Sequence, residues 1–232
     1  MLKKLFVVAA AMLVTACASP YVATPYDRAS ANITSIAVVD DALPEKPMAY
    51  EVASVGSNFG LIGALVDAGI QVERQNAVHK ALEAIDFDAE SRLEARLSEK
   101  LQADGYAVAL LPEQARPKRE FLETYPDSNG AEAYLDVVVS GYGYLSSGAG
   151  QPFRPYVQAQ VKLVRVSDGA KLMENTIVSN PLYAAEGVVT LTPNPEYAFN
   201  NRSELLADPN RLAAGIEDAL FNVADTAARL MH

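Results

Sequence analysis

Few side chains of this 232-residue sequence have the types and spacing that catalysis or metal binding requires. The sequence holds two histidines, His79 and His232, and a single cysteine, Cys17. A zinc site needs about four Cys, His or carboxylate ligands, and a Ser-His-Asp triad needs a nucleophile elbow. His79 stands beside Lys80 with neither pattern near it, which indicates a surface or partly packed side chain. We therefore predict no catalytic residue, no metal site, no cofactor and no enzymatic activity.

Two pairs of carboxylates are the remaining candidates for acid–base or metal chemistry. Asp40 and Asp41 follow directly after an apolar run, whereas Asp86 and Asp88 precede an amphipathic segment. Carboxylates at a strand end can bind a cation or act as a general acid. Aspartates at such places also begin turns and cap helices, and the sequence favours this structural interpretation.

The cysteine has a specific chemical explanation in the residues before it. Residues 1–16 carry two lysines at positions 3 and 4 and continue as an apolar run that is typical of a secretory signal peptide. This run is shorter than the roughly 20 residues of a membrane-spanning helix. The end of the segment, Val14-Thr15-Ala16-Cys17, resembles the lipobox of bacterial lipoproteins. The resemblance implies that a diacylglycerol is attached to the Cys17 thiol and that the preceding peptide bond is cut.

The residue after the cysteine bears on the compartment. Ala18 stands where, in enteric bacteria, an aspartate retains lipoproteins in the inner membrane. The resemblance therefore implies a lipid-anchored protein on the periplasmic face of the outer membrane, with the inner membrane open as an alternative. Acylated Cys17 would then make the lipid bilayer the first partner of the chain.

The charge balance excludes one large class of partners. Removal of residues 1–16 leaves 216 residues and takes away two lysines, which changes the formal net charge from −10 to −12. Binding to nucleic acid depends on clustered Lys and Arg, so we predict no nucleic-acid partner. The same charge disfavours adhesion to anionic lipid, which leaves the acyl chains to supply the membrane affinity.

The pattern along the chain predicts one folded domain after a short leader. Residues 17–32 carry prolines and serines without apolar periodicity and predict a flexible tether behind the lipidated cysteine. A periplasmic α/β domain is expected over residues 33–232. Its predicted strands and helices are listed here in chain order: strand 33–39, helix 88–104, strand 106–111, strand 135–145, hairpin 156–178 with Asp168-Gly169 at its turn, and helix 210–231.

This order predicts the fold class. We expect an α/β (α+β) domain with a mixed or mainly antiparallel sheet of about five strands, backed by two or three helices. The order of strand, helix, strand, strand, hairpin and helix resembles the α/β domain of the curli-secretion lipoprotein CsgG and the amino-terminal domain of TolB. That resemblance is one of element order and not of a fixed motif.

The Gly/Ala-rich segment 52–84, between the first predicted strand and the helix 88–104, is predicted as a helical insertion in the domain. Small residues recur every fourth position and would give a helix one smooth side. This predicted interaction stripe consists of Gly56, Phe59, Gly60, Gly63, Ala64 and Ala68. Three interpretations are open: a helix packed on the sheet through Val78 and Leu82, an interface helix that docks on a membrane or a like subunit, or an element inserted in the membrane.

The sequence thus predicts a non-enzymatic envelope lipoprotein with a binding or accessory role in secretion or envelope maintenance. The expected partners are envelope proteins or further copies of the chain, bound through the stripe and through an exposed-edge hairpin over 156–178. The alternative, which the CsgG resemblance implies, is a subunit of an outer-membrane secretion channel.

Overall fold

The computed structural model describes residues 21–52, 60–112, 116, 118–183 and 185–232, and for residues 60–68 it describes the backbone. The signal segment 1–16 and Cys17 lie outside the described residues. Helix α1 spans Arg28–Ala31, and it is followed by strand β1, Ser35–Val38, and strand β2, Met48–Glu51. None of the helices in the described part of the chain is both long enough and apolar enough to cross a membrane.

In the remaining elements, helices and strands do not alternate one by one as they do in a parallel α/β fold. In chain order they are α2 (Gly60–Glu83), α3 (Ala89–Ala103), β3 (Ala107–Leu110), β4 (Ala133–Ser146), β5 (Phe153–Arg165), β6 (Lys171–Ser179), β7 (Val188–Leu191), a 3-10 turn (Pro195–Tyr197), α4 (Arg202–Ala207) and α5 (Pro209–Arg229).

One mixed sheet organises these elements. The strand order is β3-β1-β4-β5-β6-β7, and β2 pairs with the second half of β4. Strands β4, β5 and β6 are antiparallel to one another, whereas the pairs β1–β3, β1–β4, β2–β4 and β6–β7 are parallel. The predicted fold class is confirmed, with seven strands in place of about five.

The two strands that we did not predict are short. β2 and β7 have four residues each; β2 pairs with β4, which is distant in sequence, and β7 pairs with β6, the strand before it. β2 lacks the β-branched residues that mark a strand, since its sequence is Met-Ala-Tyr-Glu. The strand conformation of β2 therefore comes from pairing with β4, whereas the sequence of β7, Val-Val-Thr-Leu, is itself typical of a strand.

The hairpin β5–β6 forms as predicted but lies in a different place in the sheet. Asp168 and Gly169 make the turn, where Gly169 has φ +70° and the Asp168 carboxylate accepts a hydrogen bond from the Ala170 N–H at 3.0 Å. We predicted an exposed-edge hairpin, and this prediction is wrong. β4 pairs along β5, and β7 covers one half of the outer side of β6.

Helices α3 and α5 cover one face of the sheet and close the core. Asp88 caps α3, whose Leu93, Leu97 and Leu101 are buried, and Gly105 follows the helix with φ +90°. Asp208 caps α5, which presents the buried residues Leu212, Ile216, Leu220 and Val223 to the sheet. The periodicities that predicted these two helices thus mark their buried sides.

Helix α2 contains most of the predicted 52–84 insertion. It begins at Gly60, and its Val78 and Leu82 are buried in the core. Val52 lies in a turn after β2, so this end of the predicted helix is wrong. Gly56 and Phe59 of the stripe lie outside the described residues. Gly60, Gly63, Ala64 and Ala68 lie on the first turns of α2, where only the backbone is described.

The segment predicted as a flexible tether is in contact with the sheet from Tyr21 onward. Thr24 forms an isolated antiparallel bridge with Glu174 of β6, with N–O distances of 2.8 and 3.0 Å. Asp27 caps α1, and Arg28 donates to the Asp104 carbonyl at 2.8 Å and lies over the Tyr106 ring. A freely moving tether therefore does not describe residues 21–32.

Candidate functional site

A cleft opens where β1 ends. It has a volume of about 560 Å³ and is bounded by the loop after β1, the end of α2 and the start of α3. Asp40, Glu90, His79 and Tyr142 contribute to its walls. In open α/β sheets, ligands usually bind beyond the carboxyl ends of parallel strands, which makes this cleft the natural candidate site.

Three carboxylates meet beside this cleft. One oxygen from each of Asp40, Glu90 and Glu94 lies within 4.8 Å of the others, and this is the one such group of potential metal ligands among the described residues. Glu90 and Glu94 are four residues apart on α3 and therefore share a face of the helix. Of these three carboxylates only Asp40 is among the candidates predicted from the sequence; Glu90 and Glu94 are not. Their spacing, on a helix that follows the first strand, was the available signal.

Glu94 is the member of the cluster whose protonation is most altered. Burial raises the pKa of Glu94 to about 8, and its hydrogen bond to Asp40 acts in the same direction. One carboxyl oxygen of Glu94 is buried without a hydrogen-bond partner, which is costly for a charged group. Glu94 is therefore protonated at neutral pH and holds its proton toward Asp40.

Glu90 has a structural task in the same cluster. Its two carboxyl oxygens accept hydrogen bonds from the backbone N–H groups of Ala42 and Leu43, each at 2.8 Å. Burial raises the pKa of Glu90, and these two hydrogen bonds oppose the shift. Glu90 thus holds the loop after β1 against the start of α3.

Two arginines hold the same loop from its other side. Arg119 donates to the carbonyl oxygens of Asp41 and Leu43 at 2.9 and 2.7 Å and pairs with the Asp41 carboxylate at 3.1 Å. Arg116 donates through Nε and Nη2 to the carbonyl of Asp40 at 3.3 and 3.2 Å. Asp41 has φ +59°, as the predicted turn requires.

Arg116 also forms a fully buried ion pair. Its Nη1 lies 2.7 Å from Oδ1 of Asp136, and the two side chains are 1% and 0% exposed. The second oxygen of Asp136 accepts from the Leu122 N–H at 2.9 Å and from the Tyr125 hydroxyl at 3.0 Å. Burial, followed by the Asp136 charge, raises the pKa of Tyr125. The pair ties the segment before β4 to the sheet.

The polar groups around the cleft are therefore largely engaged in holding loops. Asp88, predicted to be a cap, accepts a hydrogen bond from the Ser91 N–H at 3.0 Å, whereas Asp86, with φ +51°, lies in the left-handed turn that ends α2. His79 lies 3.3 Å from Glu83 of the same helix. What the cleft offers chemically is one exchangeable proton between Glu94 and Asp40 and a set of carboxylate oxygens.

A second surface of interest is the corner where the described chain begins. The Tyr21 hydroxyl donates to the Glu174 carbonyl at 3.4 Å, and Gly187 packs against the Tyr21 backbone and ring. A Cβ at Gly187 would lie 3.3 Å from the Tyr21 carbonyl oxygen. Two large apolar side chains of this part of the chain are exposed to solvent: Val22 (74%), directly after Tyr21, and Tyr183 (84%), in the connection from β6 to β7. We call Tyr21, Val22 and the exposed residues of the β6–β7 connection the amino-terminal corner.

No protein-family model matches this sequence, and no curated protein matches it at a significant level. Among solved structures, a protein from Xanthomonas campestris assigned to the family DUF330 is similar with a TM-score of 0.44 and 12% identity, over 90% of this chain and 86% of that one. PelC from Paraburkholderia phytofirmans, solved as a dodecamer, is similar with a TM-score of 0.35 and 15% identity, over 88% of this chain and 94% of that one.

Proposed function

We propose that this chain is a lipoprotein of the bacterial cell envelope. Its domain is held on the periplasmic face of the outer membrane by acylated Cys17 and has a non-enzymatic binding or assembly role. The observation that carries the proposal is the sequence Val14-Thr15-Ala16-Cys17 after an apolar run that is too short to span a membrane.

The structure supports anchoring in one respect. The folded domain begins almost immediately after the cysteine, since Tyr21 and Thr24 already contact β6. Three residues thus separate the acylation site from Tyr21, so a lipid on Cys17 holds the whole domain close to a bilayer. The formal net charge of −10 for the full chain also disfavours a nucleic-acid partner.

The arrangement of the cleft supports a role in binding over one in catalysis. Glu90, Arg116 and Arg119 each hydrogen-bond backbone groups of the loop after β1. A general acid or base needs a side chain free to exchange protons with a substrate, whereas these three groups serve the loop itself and leave only the pair of Glu94 and Asp40 for such a role. The cleft is in this view a rigid support for the loops around it.

Mass spectrometry of the mature protein tests the anchor. The protein expressed in a bacterium should begin at Cys17 and carry the added mass of a diacylglycerol, and it should fractionate with membranes. Cys17→Ser should lack this mass and appear in the periplasmic extract. A native protein that carries no lipid, or a Cys17→Ser protein that stays on membranes, would overturn the proposal.

The stripe on α2 provides a test of assembly. Gly60→Leu places a bulky side chain on the stripe, whereas Gly69→Leu, on the opposite side of the helix, enters open space. If the stripe is an interface, the first variant alone should reduce the size of the detergent-extracted protein in light scattering. A large ring that resists mild detergent would favour the channel alternative, and an unchanged size in both variants would remove the stripe as an interface.

A further inference from the structure

The amino-terminal corner is the part of the surface that the anchor brings to the bilayer. An extended chain covers roughly 3.3–3.6 Å per residue. The four residue-to-residue steps from Cys17 to Tyr21 therefore span about 14 Å at most. A domain of about 210 residues has a radius of gyration of about 17 Å. The anchor is therefore shorter than the domain is wide, and the domain has little freedom to turn another side to the membrane.

The contacts of the corner make this restriction rigid. Thr24 pairs with Glu174, the Tyr21 hydroxyl bonds the same residue, and Gly187 packs on Tyr21. The point at which the chain enters the domain is thus fixed on the outer side of β6, next to the start of β7. Both the segment that contains Tyr21 and strand β7 use this one side of β6.

The side chains exposed at the corner suit a lipid interface. Val22 is 74% exposed and Tyr183 is 84% exposed, and Leu182, beside Tyr183, is also exposed. Tyrosine is enriched at the level of the lipid headgroups because its ring is apolar and its hydroxyl is polar. Glu186 is exposed in the same connection and disfavours a charge-driven contact, so the contact is shallow and apolar.

We propose that the amino-terminal corner lies against the lipid headgroups, with Val22 and Tyr183 facing the bilayer and the β3 edge of the sheet pointing away from it. The partner of this surface is the lipid of the membrane that holds Cys17. The inference rests on the proposed acylation of Cys17 and adds the orientation of the domain. Two exposed side chains are too few to hold the domain alone, so the contact orients a protein that the acyl chains retain.

The orientation can be measured with a fluorescent label, because acylation leaves no free thiol in the native chain. Tyr183→Cys places the label at the corner. Leu110→Cys is the matched control, since Leu110 is also an exposed apolar residue and lies on β3. Five strand intervals separate β3 from β7, which is about 24 Å. Each variant is produced in lipidated form, labelled with an environment-sensitive dye and reconstituted in vesicles of phosphatidylethanolamine and phosphatidylglycerol.

Nitroxide lipids in these vesicles should quench the label at position 183 and shift its emission to the blue, while the label at position 110 stays unquenched. Equal quenching at the two positions, or quenching at position 110 alone, overturns the inferred orientation. If the masses of both proteins show the lipid, such a quenching result contradicts the orientation and does not affect the proposed function. A protein without lipid on Cys17 in the same mass spectra instead contradicts the proposed function, and the inference falls with it.

Discussion

The protonation of Glu94 is the residue property with the clearest consequence for stability. The carboxyl group has a pKa of about 8 in the folded protein against an ordinary value of 4.5, because burial and the hydrogen bond to Asp40 favour its neutral form. Between these two pH values the folded protein retains a proton that the unfolded chain releases. The free energy of unfolding must therefore fall as pH rises through this window. Above the pKa of the folded state, Glu94 causes no further loss of stability.

We predict that Glu94→Gln removes this pH dependence. The amide has the shape of the protonated carboxyl and can still donate to Asp40, so the variant should gain in relative stability as pH rises from about 4.5 to about 8. Urea unfolding of both proteins at several pH values measures the difference. Glu99→Gln, at an exposed residue of the same helix, is the control. A stability difference between Glu94→Gln and the native protein that is independent of pH would contradict the assignment.

The buried pair of Arg116 and Asp136 supports a second prediction. Arg116→Ala leaves Asp136 charged and buried, which should lower the free energy of unfolding by about 3–5 kcal/mol. Arg165→Ala removes the partly exposed pair with Asp168 and should cost less than about 1 kcal/mol. Denaturant unfolding at neutral pH compares the two. Similar losses in both variants would show that the buried pair does not hold the segment before β4.

Two glycines inside helices give a matched prediction for the elements. Nothing lies within 4 Å of a Cβ placed on Gly69 of α2, so Gly69→Ala should raise the free energy of unfolding by about 0.5–1 kcal/mol. On Gly215 of α5, a Cβ would lie 2.1 Å from the Tyr144 hydroxyl and 2.7 Å from the Tyr197 Cβ. Gly215→Ala should therefore lower the free energy of unfolding by about 1–3 kcal/mol. Thermal unfolding measures both, and changes of the same sign would contradict the packing of α5 on β4.

The elements also differ in how far their own sequences predict them. Helices α3 and α5 and the hairpin β5–β6 have strong periodicities, a capping aspartate or an Asp-Gly turn, and each forms within one or a few residues of its predicted bounds. β2 has no comparable local signal, and β7, although its sequence Val-Val-Thr-Leu is typical of a strand, has only four residues; each is completed by pairing with a longer strand, β4 or β6. The predicted edge position of the hairpin was wrong for the same reason, since β7 covers part of it.

At the scale of the whole molecule, the acidic net charge disfavours attachment to a membrane, whereas the proposed lipid anchor provides it. The predicted mature chain has a formal charge of −12, so electrostatic attraction to an anionic bilayer is absent from the binding energy. Salt screens charge interactions but strengthens apolar ones. We predict that high salt fails to release the lipidated protein from vesicles, as followed by co-sedimentation. Release by salt would show that charged groups hold the protein.

The location of the amino-terminal segment is also a property of the whole molecule. Its composition, rich in proline and serine, is typical of a linker, yet residues 21–32 pair with β6 and contact the turn after α3. The partners Glu174 and Asp104 are distant in sequence, so no local pattern could reveal the contact. This result shortens the predicted tether to the residues that precede Tyr21.

The sequence by itself determined the features that depend on neighbouring residues. The lipobox-like motif, the capped helices, the Asp-Gly turn and the acidic net charge can all be read from residues close together in the chain. The tertiary structure alone decided which distant residues meet: Asp40 with Glu94, Arg116 with Asp136, and Tyr21 with Gly187. The physical reason is that a pKa shift, a buried ion pair or an edge pairing requires partners brought together by the core, whereas periodicity and capping act within a few residues.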